Sequence, residues 1–112
     1  MLSEADSILR IGQIVRIMQG REAGQYAIVI DMIDNRYVIL ADGEKRKYDR
    51  PKKKNLNHIE AQDYISPEVQ SSLLETGRVT NGKLRFAIDK FINEYVTDLE
   101  KEDQHDGERR CN

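Results

Sequence analysis

Ten consecutive positions, Lys45 to Lys54 (KRKYDRPKKK), hold seven basic residues and one acid. Cations at that density gain affinity for a polyanion by displacing the counterions condensed on its phosphates. Arg46 and Arg50 can each fork onto one phosphate, whereas Lys45, Lys47, Lys52, Lys53 and Lys54 act as point charges. Tyr48 and His58 are rings able to stack on an unpaired base, although a tyrosine in this setting is more often a core contact. Asn55 ends the basic stretch and is grouped with it. The competing reading is a solvated surface strand whose lysines discourage edge pairing. Seven bases against one acid is dense for that purpose, so nucleic-acid binding is preferred.

A second candidate precedes it. Gly20-Arg21-Glu22-Ala23-Gly24 is a five-residue loop with glycine at both ends. Glycine permits positive φ and the close approach of another backbone. In the functional reading the tip, Arg21, lies against a phosphate backbone. In the structural reading the glycines serve only a tight bend.

Catalytic chemistry has little support. His58 and His105 are far apart, and one cysteine, Cys111, with two histidines gives no standard zinc spacing. Neither G-x-x-x-x-G-K-[ST] nor G-x-S-x-G occurs. Asp31, Asp34 and Asp42 fall in or beside turns, where Asp is favoured for local hydrogen bonding. The expectation is a binding protein rather than an enzyme, with no cofactor, no metal and no small-molecule substrate.

The elements that must position the cations come from hydrophobic periodicity. Gly12 to Gln19, Gln25 to Ile33 and Arg36 to Ala41 read as three strands, separated by the glycine loop and an Asp34-Asn35 turn. In the first, Val15 and Ile17 share one face and are the better core candidates; Ile14, Arg16 and Met18 share the other. The second and third strands are apolar on both faces, so something must cover their outer side. Asp42-Gly43 is a further turn signal. Pro51 stops pairing at its own position, which leaves Lys52 to Asn55 as an expected exposed loop. Leu56 to Glu60 alternates and reads as a closing strand.

Two helices follow. Ser66-Pro67-Glu68 combines a capping hydroxyl, proline at the first helical position and an acid at the positive end. Val69, Leu73 and Leu74 supply an apolar stripe, and Gly77 a C-terminal cap. Thr80 or Asn81 caps a longer helix, in which Leu84, Ile88, Phe91, Ile92, Tyr95 and Leu99 recur at spacings of three and four. That stripe should pack on the strands. Arg85 and Asp89 are spaced to pair. Lys83, Arg85 and Lys90 ride on this helix, outside the basic ridge. The expected organisation is a sheet unit over 1–66 carrying the ridge, a two-helix extension over 67–102 and a disordered polar tail over 103–112.

Composition sets outer limits. The chain has 112 residues, is 38% hydrophobic and 34% charged, and carries a formal net charge of −2. Residues 1–66 hold 11 Lys and Arg against 10 Asp and Glu; residues 67–112 hold 7 against 10. Local field rather than net charge decides where a polyanion docks. No apolar run is long enough to span a membrane, and MLSEADSILR has acids where a signal peptide needs bases. A cytoplasmic location is expected.

The residues GQIV, then GREAGQYAIVIDMI, then RYVILADG resemble the KOW motif, with Gly24 at its characteristic glycine. The continuation RKYDRPKKKNLNHI resembles the branch of KOW proteins found in the eukaryotic and archaeal large ribosomal subunit. The resemblance covers about residues 11 to 59 and not the two helices. It implies a small SH3-like β-barrel, here followed by helices, and contact with RNA. Ribosomal RNA is the first candidate, with the ribosome or ribosomal proteins as associated partners. The net acidic charge departs from the strongly basic ribosomal members. RNA-contacting candidates are Gly20, Arg21, Gly24, Lys45, Arg46, Lys47, Arg50, Lys52, Lys53, Lys54, Asn55 and His58. The competing class is a protein-interaction module of the transcription or translation apparatus with no direct RNA contact.

Overall fold

Strands with apolar residues on both sides need two cores, and the molecule has them. The computed structural model describes residues 9–96. Its strands are β1 (Gln13–Ile17), β2 (Tyr26–Met32), β3 (Tyr37–Ala41), β4 (Lys52–Asn55) and β5 (Ile59–Ile65). They form one antiparallel sheet in the order β4-β3-β2-β1-β5. On one face Val15, Ile17, Ala27, Val29, Val38 and Leu40 pack with Leu9, flanked by Ile11, Leu56 and Ile59. On the other, Ile14, Ile28, Ile30 and Ala41 meet the helices. The preference for the Val15/Ile17 face was half the picture: Ile14 is equally buried, in the second core.

The helices are α1 (Pro67–Thr76) and α2 (Asn81–Phe91), the latter continuing into a π turn over Ile92–Val96. Their punctuation is as expected. The Ser66 hydroxyl accepts from the Val69 amide, and Gly77 closes α1 at φ +76° with its N–H on the Leu73 carbonyl. Thr80, rather than Asn81, caps α2 by accepting from the Lys83 amide. Val69, Val79, Leu84, Ala87, Ile88 and Phe91 cover the outer sheet face. Leu74 leaves the expected stripe and is 70% exposed. Arg85, expected opposite Asp89, instead donates to the Gly43 carbonyl. The expected end of the second helix near Leu99 and the polar tail lie outside the described residues.

Two expectations fail between residues 52 and 60. Lys52–Asn55 is an edge strand and not a loop, with Lys52, Lys53, Lys54 and Asn55 opposite Leu40, Ile39, Val38 and Tyr37. Pro51 costs one donor at its own position only, and lysine is a tolerated residue on a sheet edge. The closing strand begins later than expected. The Asn55 side chain accepts from the Asn57 amide and caps a 3-10 turn over Leu56–His58, after which β5 runs from Ile59 to Ile65. β5 was hard to read because it is an edge strand of mixed character, with Glu60, Ala61 and Asp63 exposed.

The hydrogen-bonded sheet is open: among the described residues no ladder joins β4 to β5. It is nevertheless strongly bent. Register shifts interrupt β1 between Gln13 and Val15, and β2 between Val29 and Asp31; such bulges increase twist and curl. The Met18 amide donates to the His58 carbonyl and the Leu56 amide to the Arg36 carbonyl, both at 2.8 Å. These bonds carry the chain from the end of β4 across to the end of β1.

Candidate nucleic-acid interface

The glycine loop closes tightly on its own strands. Gly24 N–H donates to the Ile17 carbonyl at 2.6 Å, and the Ile17 amide donates to the Gln25 carbonyl at 2.8 Å. Both glycines have positive φ, +99° at Gly20 and +92° at Gly24. Their reasons differ. A Cβ at Gly24 would meet nothing within 4 Å, so only its backbone conformation demands glycine. A Cβ at Gly20 would lie 2.9 Å from the Lys54 ammonium. The bend of the sheet has thus brought the edge strand against the loop. Arg21, at the tip, is exposed.

A second cation reaches the same loop. Arg46 Nε donates to Glu22 Oε2 at 2.9 Å, with the carboxylate largely buried. Arg46 itself sits in a loop ordered by Asp42, whose Oδ1 accepts from the Glu44 and Arg46 amides at 2.8 Å. The Asp42 and Gly43 amides in turn donate to the Arg46 carbonyl. Asp42, a turn residue by sequence, therefore builds the mount of the basic run.

That loop is docked on the helices. Gly43 (φ +82°) sits so close to α2 that a Cβ would collide with the Asn81 carbonyl, and its own carbonyl accepts from Arg85 at 2.9 Å. The Tyr48 amide donates to Asn81 Oδ1 at 2.7 Å, and its hydroxyl to the Gly77 carbonyl at 2.9 Å. Tyr48 is half-buried and held at both ends, so it is a structural pin and not a free stacking ring. Lys45, Lys47 and Arg50 remain exposed around it.

The basic run is thus not one ridge. Lys45, Lys47 and Arg50 stand on the docked loop, and Arg46 is turned to Glu22. β4 then divides its lysines by strand alternation. Lys52 and Lys54 share the side of Leu40 and Val38, while Lys53 shares the helix side with Ile39 and rests 4.6 Å from the centre of the Tyr37 ring. Asn55 uses its side-chain oxygen on the 3-10 cap and lines a recess of about 520 Å³ with Asn35, Arg36 and Asn57. His58 is half-buried in the 3-10 turn, and its carbonyl accepts from Met18. Neither joins the cluster around the glycine loop.

Lys83 and Arg85 ride on the helix outside the basic run, but they lie against the loop that carries it. Arg85 touches Gly43, and Lys83 and Arg78 share a recess with Tyr48. The helix start at Thr80-Asn81 and an inward Tyr48 are both legible in the sequence, but nothing in the pattern says that Tyr48 would bond Asn81 and Gly77. Among the described residues no group of three or more His, Cys, Asp or Glu is placed to hold a metal ion.

The molecule is thus a small antiparallel-sheet protein backed by two helices, with a glycine loop and a basic loop joined through Arg46 and Glu22 and exposed cations around them. No family model matches the chain. Over 71 residues it is 46% identical to YbzG of Bacillus subtilis (strain 168), described as a candidate ribosome-binding protein; the match covers 63% of this chain and 96% of that protein. Over 56 residues it is 38% identical to large ribosomal subunit protein eL14 of Pyrobaculum islandicum, covering 50% of this chain and 54% of that protein. Over 81 residues it is 28% identical to eL14 of Metallosphaera sedula, covering 65% and 84%. The chain belongs to the KOW-like ribosomal protein family that these relatives represent. No helix among the described residues is long and apolar enough to cross a membrane.

Proposed function

We propose that the chain associates with the large ribosomal subunit in the cytoplasm by contacting ribosomal RNA. The carrying observation is the convergence of Lys54 and Arg46 on the Gly20–Gly24 loop, with Lys45, Lys47 and Arg50 exposed beside it. Phosphate contacts from these cations supply affinity, and RNA shape supplies most of the selectivity. The family supports the ribosome as the source of that RNA, since its named members are ribosome-binding or ribosomal. We read the bent sheet as an SH3-like barrel left open between β4 and β5; the Met18–His58 and Gly20–Lys54 contacts support that reading. The role is binding, with no catalytic step.

Sedimentation of lysate containing the tagged full chain tests the assignment. At low salt the protein travels with large subunits, and it is released as salt is raised. Recovery only at the top of the gradient at every salt concentration overturns it. One observation favours a protein-docking role instead: Phe86 on α2 is 55% exposed. In that case the association persists at high salt and fails on Phe86→Ala.

A further inference from the structure

We infer that the helical extension carries a second set of phosphate contacts, so that the RNA-binding face runs from the docked basic loop onto the α1–α2 junction. This rests on the RNA-binding reading above and extends it to residues outside the basic run. Three observations carry it. First, the loop over residues 42–50, which carries Lys45 and Lys47, is seated on the start of α2 through Gly43, Tyr48, Asn81 and Arg85, so loop and helix form one continuous surface. Second, a recess of about 620 Å³ opens beside that seat. Its polar lining is Tyr48, Ser72, Thr76, Thr80, Arg78 and Lys83, with no carboxylate among them. Third, the cations there are directed: Lys83 Nζ donates to the Ser72 hydroxyl at 2.6 Å across the gap between α1 and α2, and Arg78 is exposed on the connection itself. Two cations and the Ser72 and Thr80 hydroxyls, which accept from Lys83 and keep their own protons to donate, suit a phosphate oxygen on a concave surface. Hydroxyls and charged side chains are the usual groups that fix a protein's register on nucleic-acid phosphates.

The surface therefore has two cationic parts held rigidly together by the Tyr48 pin. The chemistry points to structured RNA rather than a single extended strand, because phosphates on either side of the pin must be presented at once. Lys83, on the helix and outside the basic run, lines the same recess as Tyr48 of that run.

The test compares two double variants of the full chain for binding to purified large-subunit ribosomal RNA, by filter retention across a salt series. In the first, Arg78→Ala with Lys83→Ala removes the recess cations. In the second, Arg10→Ala with Lys90→Ala removes the same charge from positions that do not line it. If each recess cation neutralises one phosphate, the first variant flattens the slope of log affinity against log salt by about 1.4 to 1.8. Extrapolated from 1 M salt, that is roughly a 25- to 60-fold loss at 0.1 M. The control keeps the parent slope. Arg78→Lys with Lys83→Arg keeps both charges and restores the slope, which a merely structural role would not guarantee. If the parent binds with a steep salt slope and the recess variant matches the control, this inference is overturned while the RNA reading stands. If the parent shows no salt-dependent binding, both are overturned.

Discussion

At the scale of single residues, two glycines with positive φ, Gly24 and Gly43, separate two kinds of constraint. Gly24 has open space around the missing Cβ, so Gly24→Val should cost more than the roughly 1 kcal/mol of a generic glycine replacement, through backbone strain alone. Unfolding in urea reads this directly, and a midpoint equal to the parent's would show the site to be ordinary. Gly43 adds a steric clash with the Asn81 carbonyl. Gly43→Ala should therefore destabilise more than Gly24→Ala, by about 2 kcal/mol. The lysines of β4 separate in the same way. Lys54 reaches the glycine loop while Lys53 lies over Tyr37 on the other face. Lys54→Ala should weaken RNA retention and flatten its salt slope by about 0.7 to 0.9, with Lys53→Ala having the smaller effect. Equal effects would mean that only diffuse charge matters.

At the scale of elements, the sheet depends on the helices. Ile14, Ile28, Ile30 and Ala41 are covered by residues of α1 and α2 and by Val79 between them. A chain ending after residue 66 should expose that face and aggregate or melt at lower temperature. A soluble 1–66 fragment as stable as the parent in thermal unfolding would refute this dependence. Ser66 is wholly buried and caps α1, so Ser66→Ala should cost about 1 kcal/mol, measured in the same experiment. The elements read well from sequence where periodicity is strong. Val15, Ile17 and the doubly apolar β2 and β3 announced themselves, as did Ser66-Pro67 and Gly77. β4 and β5 did not. Four residues of lysine and asparagine carry no apolar alternation, and an edge strand such as β5 with Glu60 and Asp63 exposed has only a faint one. Pairing partners, which decide such strands, are non-local and leave no mark in the local pattern.

At the scale of the whole molecule, charge is arranged and not merely abundant. The net charge of −2 would discourage binding to a polyanion, yet exposed cations gather around two loops held to one another. If about five of them touch phosphates, log affinity for ribosomal RNA should fall with log salt at a slope of roughly −3.5 to −4.5, before any contribution from the helices. Between 50 and 200 mM salt that is roughly a one hundred- to five hundredfold loss. A slope near zero in filter binding would move the protein-docking role to first place. The residue types of this surface were legible in the sequence, since a run of seven bases in ten positions is conspicuous. Its shape was not. Strand alternation splits the run, Glu22 claims Arg46, and α2 contributes cations that sit more than thirty positions downstream.

That last separation has a temporal side. The basic loop is complete once residue 50 has been synthesised, but the groups that hold it arrive late: Asn81 is 33 positions after Tyr48, and Arg85 is 42 after Gly43. Domains are made from the N-terminus at about 5–20 residues per second, so for seconds a nascent chain has its cations without the helix contacts that seat them. During that interval the loop has only its own bonds around Asp42 and lies beside the machine whose RNA it is proposed to recognise. The contacts that fix the loop's geometry therefore arrive only with the second helix.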